Sequence, residues 1–83
     1  MVKITNVKPL DDYNLYLEFS DGKKGIFDVK PYLHMPVFQE LKNIDYFKKA
    51  RIAFGTIVWP NEQDIAPETL YLETIETERY DAA

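Results

Sequence analysis

Apolar and polar residues alternate along the first third of the chain, which is the pattern of strands with one buried face. A first run ends at Pro9, because proline has no N–H to donate to a strand ladder. A second run places Leu15, Leu17 and Phe19 on one face. These runs predict an N-terminal strand followed by the first arm of a hairpin.

The segment Ser20-Asp21-Gly22-Lys23 predicts the hairpin turn, because glycine adopts positive φ without steric cost and aspartate tolerates it. A two-residue loop would place Leu17 opposite Ile26. A loop one residue longer, with the glycine in a bulge, places Leu15 opposite Phe27. We favour the bulged register, because it collects the larger apolar set on one face.

The middle of the chain predicts short helices. Pro36 suits the first position of a helix, and apolar residues follow it at spacings of three and four. These apolar residues are Val37, Phe38, Leu41 and Ile44. We expect a helical region from about Pro36 to Lys49, broken near Asn43, with Asp45 capping its second part. The stretch from Pro31 to Pro36 predicts a loop.

The second half predicts another hairpin and a last helix. Arg51–Phe54 and Thr56–Trp59 are rich in β-branched and aromatic residues and are joined at Gly55. Pro67 is well placed to open a helix whose Leu70 returns to the core. The whole pattern predicts an α+β fold: a small antiparallel sheet, made of two hairpins plus the N-terminal strand, with two or three short helices.

Length and composition limit what else the chain can contain. A chain of 83 residues makes one domain, near the lower limit for a core without disulfides or metal, so we expect a single domain over residues 1–83. After about residue 73 the tail alternates Glu with Thr and has little to bury, so we expect it to fray. Without cysteine, a signal segment or a membrane-spanning run, the expected location is cytoplasmic, with no membrane contact.

The formal net charge of −4 disfavours general nucleic-acid binding, since phosphate contacts depend on lysine and arginine. Local basic groups are Lys23 and Lys24 in the hairpin turn, and Lys48, Lys49 and Arg51 after the helical region. A nucleic-acid-associated regulatory domain is therefore the alternative function, and nucleic acid is not the expected partner.

No group of residues specifies a reaction. His34 is the only histidine and lacks a second ligand at metal-binding spacing, and Ser20 lies in a turn rather than in a nucleophile elbow. The three glycines do not form a phosphate-binding loop. We expect no catalytic, metal or cofactor site and no enzyme activity. An enzyme that used Asp64 and His34 would have to bring them together in one cleft.

The most specific segment runs from Thr56 to Tyr71 and holds the only tryptophan. Its structural interpretation, which we favour, is that Trp59 buries its ring and Asp64 accepts backbone N–H groups at the start of the last helix. Its functional interpretation is a protein-binding hot spot made of an aromatic group beside acids and amides. The candidate partner-binding residues are Trp59, Asn61, Glu62, Asp64, Glu68 and Tyr71.

Several motifs of the chain recur in one bacterial family. They are Asn6-Val7-Lys8-Pro9 with Tyr13-x-Leu15, Phe19-Ser20-Asp21-Gly22, Asp28-Val29-Lys30-Pro31, Val37-Phe38-x-x-Leu41 with Phe47, and Trp59-Pro60-Asn61 with Asp64-Ile65 and Pro67-Glu68-x-Leu70-Tyr71. On these motifs the chain resembles, over nearly its full length, domain of unknown function 2442. Glu62 stands where many relatives have Gly after the Trp-Pro-Asn triplet.

The resemblance implies a compact α+β domain with antiparallel strands and no enzyme activity. It also implies a two-gene unit whose other product is a small protein, an arrangement similar to toxin and antitoxin pairs. The first hypothesis is therefore a binding module, antitoxin-like or regulatory, for a small and basic protein partner. A homodimer is a further expectation, since short domains with sheet edges often self-associate.

Overall fold

A computed structural model of the chain describes residues 2–77. Strands β1 to β7 are Ile4–Pro9, Asn14–Phe19, Lys24–Asp28, Arg51–Ala53, Thr56–Val58, Asp64–Ile65 and Ile75–Glu76. Helices α1 and α2 are Ile44–Phe47 and Pro67–Glu73, and short 3₁₀ helices span Asp11–Tyr13, Lys30–Tyr32 and Pro36–Lys42. All strand pairs are antiparallel and divide between two sheets, ordered β1-β2-β3-β7 and β4-β5-β6. The predicted α+β class is confirmed.

The hairpin between β2 and β3 has the bulged register. Leu15 lies opposite Phe27, and Gly22 takes a φ of +95°. The Asp21 carboxylate accepts the backbone N–H of Lys23 at 3.0 Å, which fixes the turn. This register buries Leu15, Leu17, Phe19, Phe27 and Val29. The prediction from the larger apolar set is therefore confirmed.

The hairpin between β4 and β5 is closed by a two-residue turn, since Ala53 pairs with Thr56. Phe54 and Gly55 have φ values of +54° and +76°. Positive φ at both central residues is the requirement of a type I′ turn, whose twist matches that of the flanking strands. The second predicted hairpin is confirmed, and its turn holds a phenylalanine in a conformation that bulky residues rarely adopt.

The helical region after Pro36 is a 3₁₀ helix followed by the single turn of α1. In a 3₁₀ helix, residues three apart lie on the same face, so Phe38 and Leu41 are both buried. Val37 falls off that face and is 58% exposed. Its predicted place on the buried side is wrong, because the prediction assumed the wider α-helical stripe.

Asn43 ends the 3₁₀ helix and caps α1. Its side-chain oxygen accepts the backbone N–H groups of Asp45 at 2.9 Å and Tyr46 at 3.4 Å. The predicted break near Asn43 is thus present, but the predicted cap at Asp45 is wrong. Asp45 instead occupies the first turn, where its negative charge suits the helix dipole.

Two further predictions, the loop after Pro31 and the frayed tail, are wrong in part. The stretch after Pro31 is not only a loop, since Lys30–Tyr32 forms a 3₁₀ helix. Part of the tail that was expected to fray, Ile75–Glu76, forms β7 and pairs with Gly25 and Ile26 of β3. The rest of that tail, from residue 78, lies outside the described residues.

One hydrophobic core receives side chains from both sheets and from the helices. Its members are Ile4, Leu15, Leu17, Phe19, Phe27, Val29, Phe38, Leu41, Phe47, Ile57, Trp59, Ile65 and Leu70. Leu70 of α2 is fully buried, as its spacing from Pro67 predicted. No helix within residues 2–77 is long and apolar enough to cross a membrane.

Candidate functional site

Trp59 is fully buried immediately after β5, at the start of the polar turn that leads to β6. Its indole Nε1 donates to the Phe47 carbonyl at 2.9 Å, and its ring lies 6.1 Å from the Phe47 ring centroid. A buried tryptophan whose indole N–H has a hydrogen-bond acceptor contributes to the packing of the core and holds the backbone around it in place. Trp59, one of the candidate partner-binding residues, therefore supports the site from inside the core and does not present its ring to a partner.

The turn after Trp59 is tight. The N–H of Glu62 donates to the Trp59 carbonyl at 2.9 Å, and the N–H of Trp59 donates to the Gln63 carbonyl at 2.9 Å. Glu62 takes a φ of +67° to close this turn. The positive-φ turn that glycine would favour is thus present here with a glutamate.

A closed hydrogen-bond network ties this turn to the helical region. Asn61 Nδ2 donates to both carboxylate oxygens of Glu40 at 2.7 Å, and its backbone N–H donates to the Tyr46 hydroxyl at 2.9 Å. Gln63, which is 4% exposed, donates to Glu40 at 2.9 Å and accepts from Tyr46 at 2.7 Å. The candidate residue Asn61 therefore turns its amide towards the protein and stabilises the turn.

Asp64 does not cap the last helix, so that prediction is wrong. It lies in β6 opposite Val58, and the N-cap of α2 is Ala66, which has no side-chain cap. Arg51 is opposite Val58 on the other side, and directly opposed residues share a face of the sheet. Asp64 is the exposed residue on the β6 side of Val58, so its carboxylate is available at the surface.

Three adjoining cavities define a surface around the tip of the second hairpin, here named the Phe54 surface. The first, of about 280 Å³, is lined by Arg51, Phe54, Val58, Trp59, Glu62 and Asp64. The second, of about 310 Å³, is lined by Val2, Lys3, Phe54, Gly55 and Pro67. The third, of about 230 Å³, is lined by Val2, Pro67, Glu68, Tyr71 and Leu72.

The shared lining residues make these cavities one surface. Phe54 lines both the first and the second cavity, and Val2 and Pro67 line both the second and the third. Two apolar side chains protrude beside them: Phe54 is 96% exposed and Leu72 is 77% exposed. Large exposed apolar groups that lie near one another are typical of interaction sites.

The structure brings most of the candidate residues to this surface, at two ends. Glu62 and Asp64 border the cavity on one side of Phe54, and Glu68 and Tyr71 border the cavity at Leu72. Sequence reasoning missed Phe54, which it treated as the end of a strand. The available signal was an aromatic residue immediately before the glycine of a two-residue turn, a position where asparagine, aspartate or glycine is preferred.

Tyr71 fixes one end of the Phe54 surface to the first hairpin. Its hydroxyl donates to Asp21 Oδ2 at 2.6 Å, and the Lys23 ammonium lies 4.3 Å from its ring centroid and donates to its carbonyl. The hydrogen bond from Tyr71 lowers the pKa of Asp21, and the same bond raises the pKa of Tyr71. Helix α2 is therefore held against the β2–β3 turn.

One family model matches most of the chain. Residues 4–76 match the model of a family described as "Protein of unknown function (DUF2442)". The chain belongs to the DUF2442 family. No curated protein and no solved structure is similar enough to the chain to count as a match.

The region shared with the DUF2442 family runs from the first residue of β1 to the last residue of β7. It contains both hairpins, the tight turn after Trp59 and nearly all of the Phe54 surface. The family description states no activity, so the function of this DUF2442 chain has to be inferred from its own geometry.

The local basic residues and His34 are the other candidate groups of this DUF2442 chain. Lys48 pairs with Asp11 at 2.9 Å, and Lys23 donates to the Tyr71 carbonyl, so two of the local basic groups have partners within the protein. His34 is exposed and does not line the cavity that Asp64 borders. Within residues 2–77, no group of three or more histidine or acidic residues could hold a metal ion.

Proposed function

We propose that this chain is a binding module that recognises a small, basic protein partner through the Phe54 surface, in an antitoxin-like or regulatory role. The observation that supports the proposal is the placement of Phe54, which is 96% exposed at the tip of a two-residue turn. Exposed aromatic anchors that become buried on association provide much of the free energy of protein–protein binding.

Stability alone does not account for Phe54. A positive φ costs a non-glycine residue roughly 1–2 kcal/mol, and Asn-Gly is the preferred pair for a type I′ turn. Phe54 combines this cost with an aromatic ring that packs on almost nothing in the monomer. Strain of this kind is found most often at functional positions, which supports a role in recognition.

The charges around Phe54 support a basic partner. Three carboxylates, of Glu62, Asp64 and Glu68, line the cavities around the ring, against two basic groups, of Arg51 and Lys3. The whole chain carries a formal net charge of −4. Complementary potentials speed the encounter of two proteins and exclude partners of the wrong charge.

Co-purification with the product of the neighbouring gene tests this proposal. We expect the wild-type chain to bind that product, and Phe54→Asn to weaken binding by about tenfold or more, as the loss of an aromatic anchor does. Asn suits the turn, so the fold is retained. Val37→Asn is the matched control, because Val37 is 58% exposed but lines none of the three cavities.

Two results would contradict the proposal. One is that no neighbouring gene product associates with the chain at micromolar concentration. The other is that Phe54→Asn binds as tightly as the wild type. A mobility-shift assay over a range of salt concentrations separates the nucleic-acid alternative, since binding through phosphates must weaken steeply as salt increases.

A further inference from the structure

We infer that strand β7 is a latch, which detaches from β3 while the rest of the molecule stays folded and so uncovers an edge of the larger sheet. The structure shows the closed form, in which β7 follows β3 at the end of the order β1-β2-β3-β7. Neither residue of β7 lines the Phe54 surface. The inference is therefore independent of the proposed function.

The side chains of β7 do little to hold it in place. Ile75 is 76% exposed, and Glu76 is exposed as well. Glu76 lies opposite Gly25, which has no side chain, so the two strands meet there backbone to backbone. Because the stabilisation from burial grows with the apolar area removed from water, opening the latch costs little hydrophobic burial.

Backbone hydrogen bonds are what hold the latch closed. The N–H of Thr77 donates to the Lys24 carbonyl at 3.0 Å. Hydrogen-bonded and non-hydrogen-bonded pairs alternate along an antiparallel ladder, so Ile26 and Ile75 form the next hydrogen-bonded pair. When β7 leaves, water replaces these bonds, and the net contribution of each bond to stability is therefore small.

Thr74 sets the point at which the latch turns. It is 5% exposed, and its N–H at 3.1 Å and its hydroxyl at 2.6 Å both donate to the Leu70 carbonyl. Leu70 is itself fully buried, whereas no residue from Ile75 to Thr77 is buried. Helix α2 therefore stays on the core while the residues after Thr74 move away.

Opening the latch frees backbone groups of β3. The carbonyl of Lys24 and the N–H and carbonyl of Ile26 then have no strand beside them. A row of unpaired N–H and C=O groups is a template for strand pairing with another chain. In the closed form β7 already uses these groups, so the latch controls whether this edge of the sheet is open to pairing.

Native-state hydrogen exchange of the full chain, at a series of low urea concentrations, tests the latch. Leu15 and Phe27, which pair between β2 and β3 and are fully buried, serve as the reference for the whole fold. We expect the amides of Ile26, Ile75 and Thr77 to be at least about 100-fold less protected than this reference pair. Their protection should also change little with urea, because local opening exposes little surface.

One result of this measurement would overturn the inference. If the amides of β7 and its partners are as strongly protected as the reference pair, with the same dependence on urea, β7 opens only when the whole fold does. This measurement uses the unaltered chain, so it decides the inference without any substitution.

A disulfide that ties β7 to β3 gives a second test. The chain has no cysteine, so Ile26→Cys combined with Ile75→Cys introduces a single pair. Hydrogen-bonded residues that face each other across two strands have Cα atoms about 5.5 Å apart, which suits a disulfide. The same variant in its reduced form is the matched control, since it carries both substitutions without the bond.

The oxidised variant should hold the latch closed. Relative to Leu15 and Phe27, we expect the amides of residues 26 and 75 to be at least about tenfold more protected in the oxidised form than in the reduced form. Equal relative protection in the two forms would overturn the inference, because the bond would then have closed nothing that opens by itself.

Discussion

Glu62 shows how a single residue is held in an unfavourable conformation by its neighbours. Its φ of +67° lets its N–H reach the Trp59 carbonyl and lets Trp59 pair with Gln63. Gln63 is in turn held by Tyr46 and Glu40. The hydrogen bonds on both sides of the turn therefore offset a local backbone cost of roughly 1–2 kcal/mol.

Replacing this residue by glycine should stabilise the protein. We expect Glu62→Gly to raise the free energy of unfolding by about 0.5–1 kcal/mol, because glycine adopts positive φ without the steric cost, although it loses more entropy on folding. Urea unfolding measures the change as a shift of the midpoint at constant slope. Glu62→Ala is the control: it removes the same charge but keeps the strain, so it should bring no gain. A Glu62→Gly midpoint at or below that of the wild type would contradict this account.

Strand β7 shows how one element depends on a residue of another. Its two residues, Ile75 and Glu76, pair with Ile26 and Gly25 of β3. A Cβ atom at Gly25 would lie 2.0 Å from the Ile75 carbonyl oxygen and 2.8 Å from the Glu76 Cα. These are backbone atoms, so they cannot move aside as the end of a flexible side chain can. The close approach of β7 to β3 therefore requires glycine at this position.

The substitution Gly25→Ala should detach β7 or displace β3. We expect a loss of stability of about 1–3 kcal/mol, which is typical of overpacking a site that cannot relax. We also expect faster hydrogen exchange at the Thr77 amide, which donates to the Lys24 carbonyl at 3.0 Å.

A double-mutant cycle gives the control for this prediction. In a chain that ends at Thr74, β7 is absent and the three atoms nearest to the added methyl group are removed, so Gly25→Ala should cost much less there than in the full chain. An equal cost in both chains would show that Gly25 acts through something other than β7.

The elements that the sequence predicted well are those with a local cause. The first hairpin follows from alternation and the second from β-branched and aromatic residues, each with a glycine in its turn, and α2 follows from Pro67 and the spacing to Leu70. The helical region was predicted less well. Whether its first part is α or 3₁₀ depends on how Phe38 and Leu41 reach the core, which is a tertiary property.

The candidate site was predicted only where its features have a local cause. The burial of Trp59 follows from its large apolar ring at the end of a predicted strand. The misassigned Asp64 cap has a non-local cause, because Asp64 pairs with Val58 before the helix starts. The exposure of Phe54 depends on the turn type, and the joining of the three cavities depends on the packing of α2 beside the second hairpin. No local pattern contains that information.

At the scale of the whole molecule, α2 is tied to the larger sheet and its connections through two tyrosine hydroxyls. Tyr71 donates to Asp21 at 2.6 Å, and Tyr32 donates to Glu73 at 2.5 Å. The bond to Glu73 raises the pKa of Tyr32 to about 12. Because α2 forms one end of the Phe54 surface, these bonds also hold that surface in shape.

The Tyr71–Asp21 bond should make stability depend on pH in both directions. The pKa of Asp21 is lowered in the folded state, so the contribution of the bond is present above the ordinary value of 3.8 and is lost as the pH falls through the lower folded value. The pKa of Tyr71 is raised, so the contribution is full below the ordinary value of 10.0 and is lost as the pH rises through the higher folded value.

The difference between the wild type and Tyr71→Phe isolates this bond. We expect the wild type to be the more stable protein, by a constant amount from about pH 5 to pH 9, with the difference shrinking outside that range. Urea unfolding at a series of pH values measures it, and the titration of Tyr32 cancels because both proteins contain it. A difference that does not change below pH 4 or above pH 10 would contradict the assignment of the bond.

The burial of the only indole gives the protein a built-in optical reporter. Its ring lies inside the core with no exposed surface, so its fluorescence emission responds to loss of the fold. The same residue lines the cavity beside the protruding phenyl group, so a partner that fills this cavity also approaches the indole. One unlabelled sample can therefore report both denaturation and complex formation.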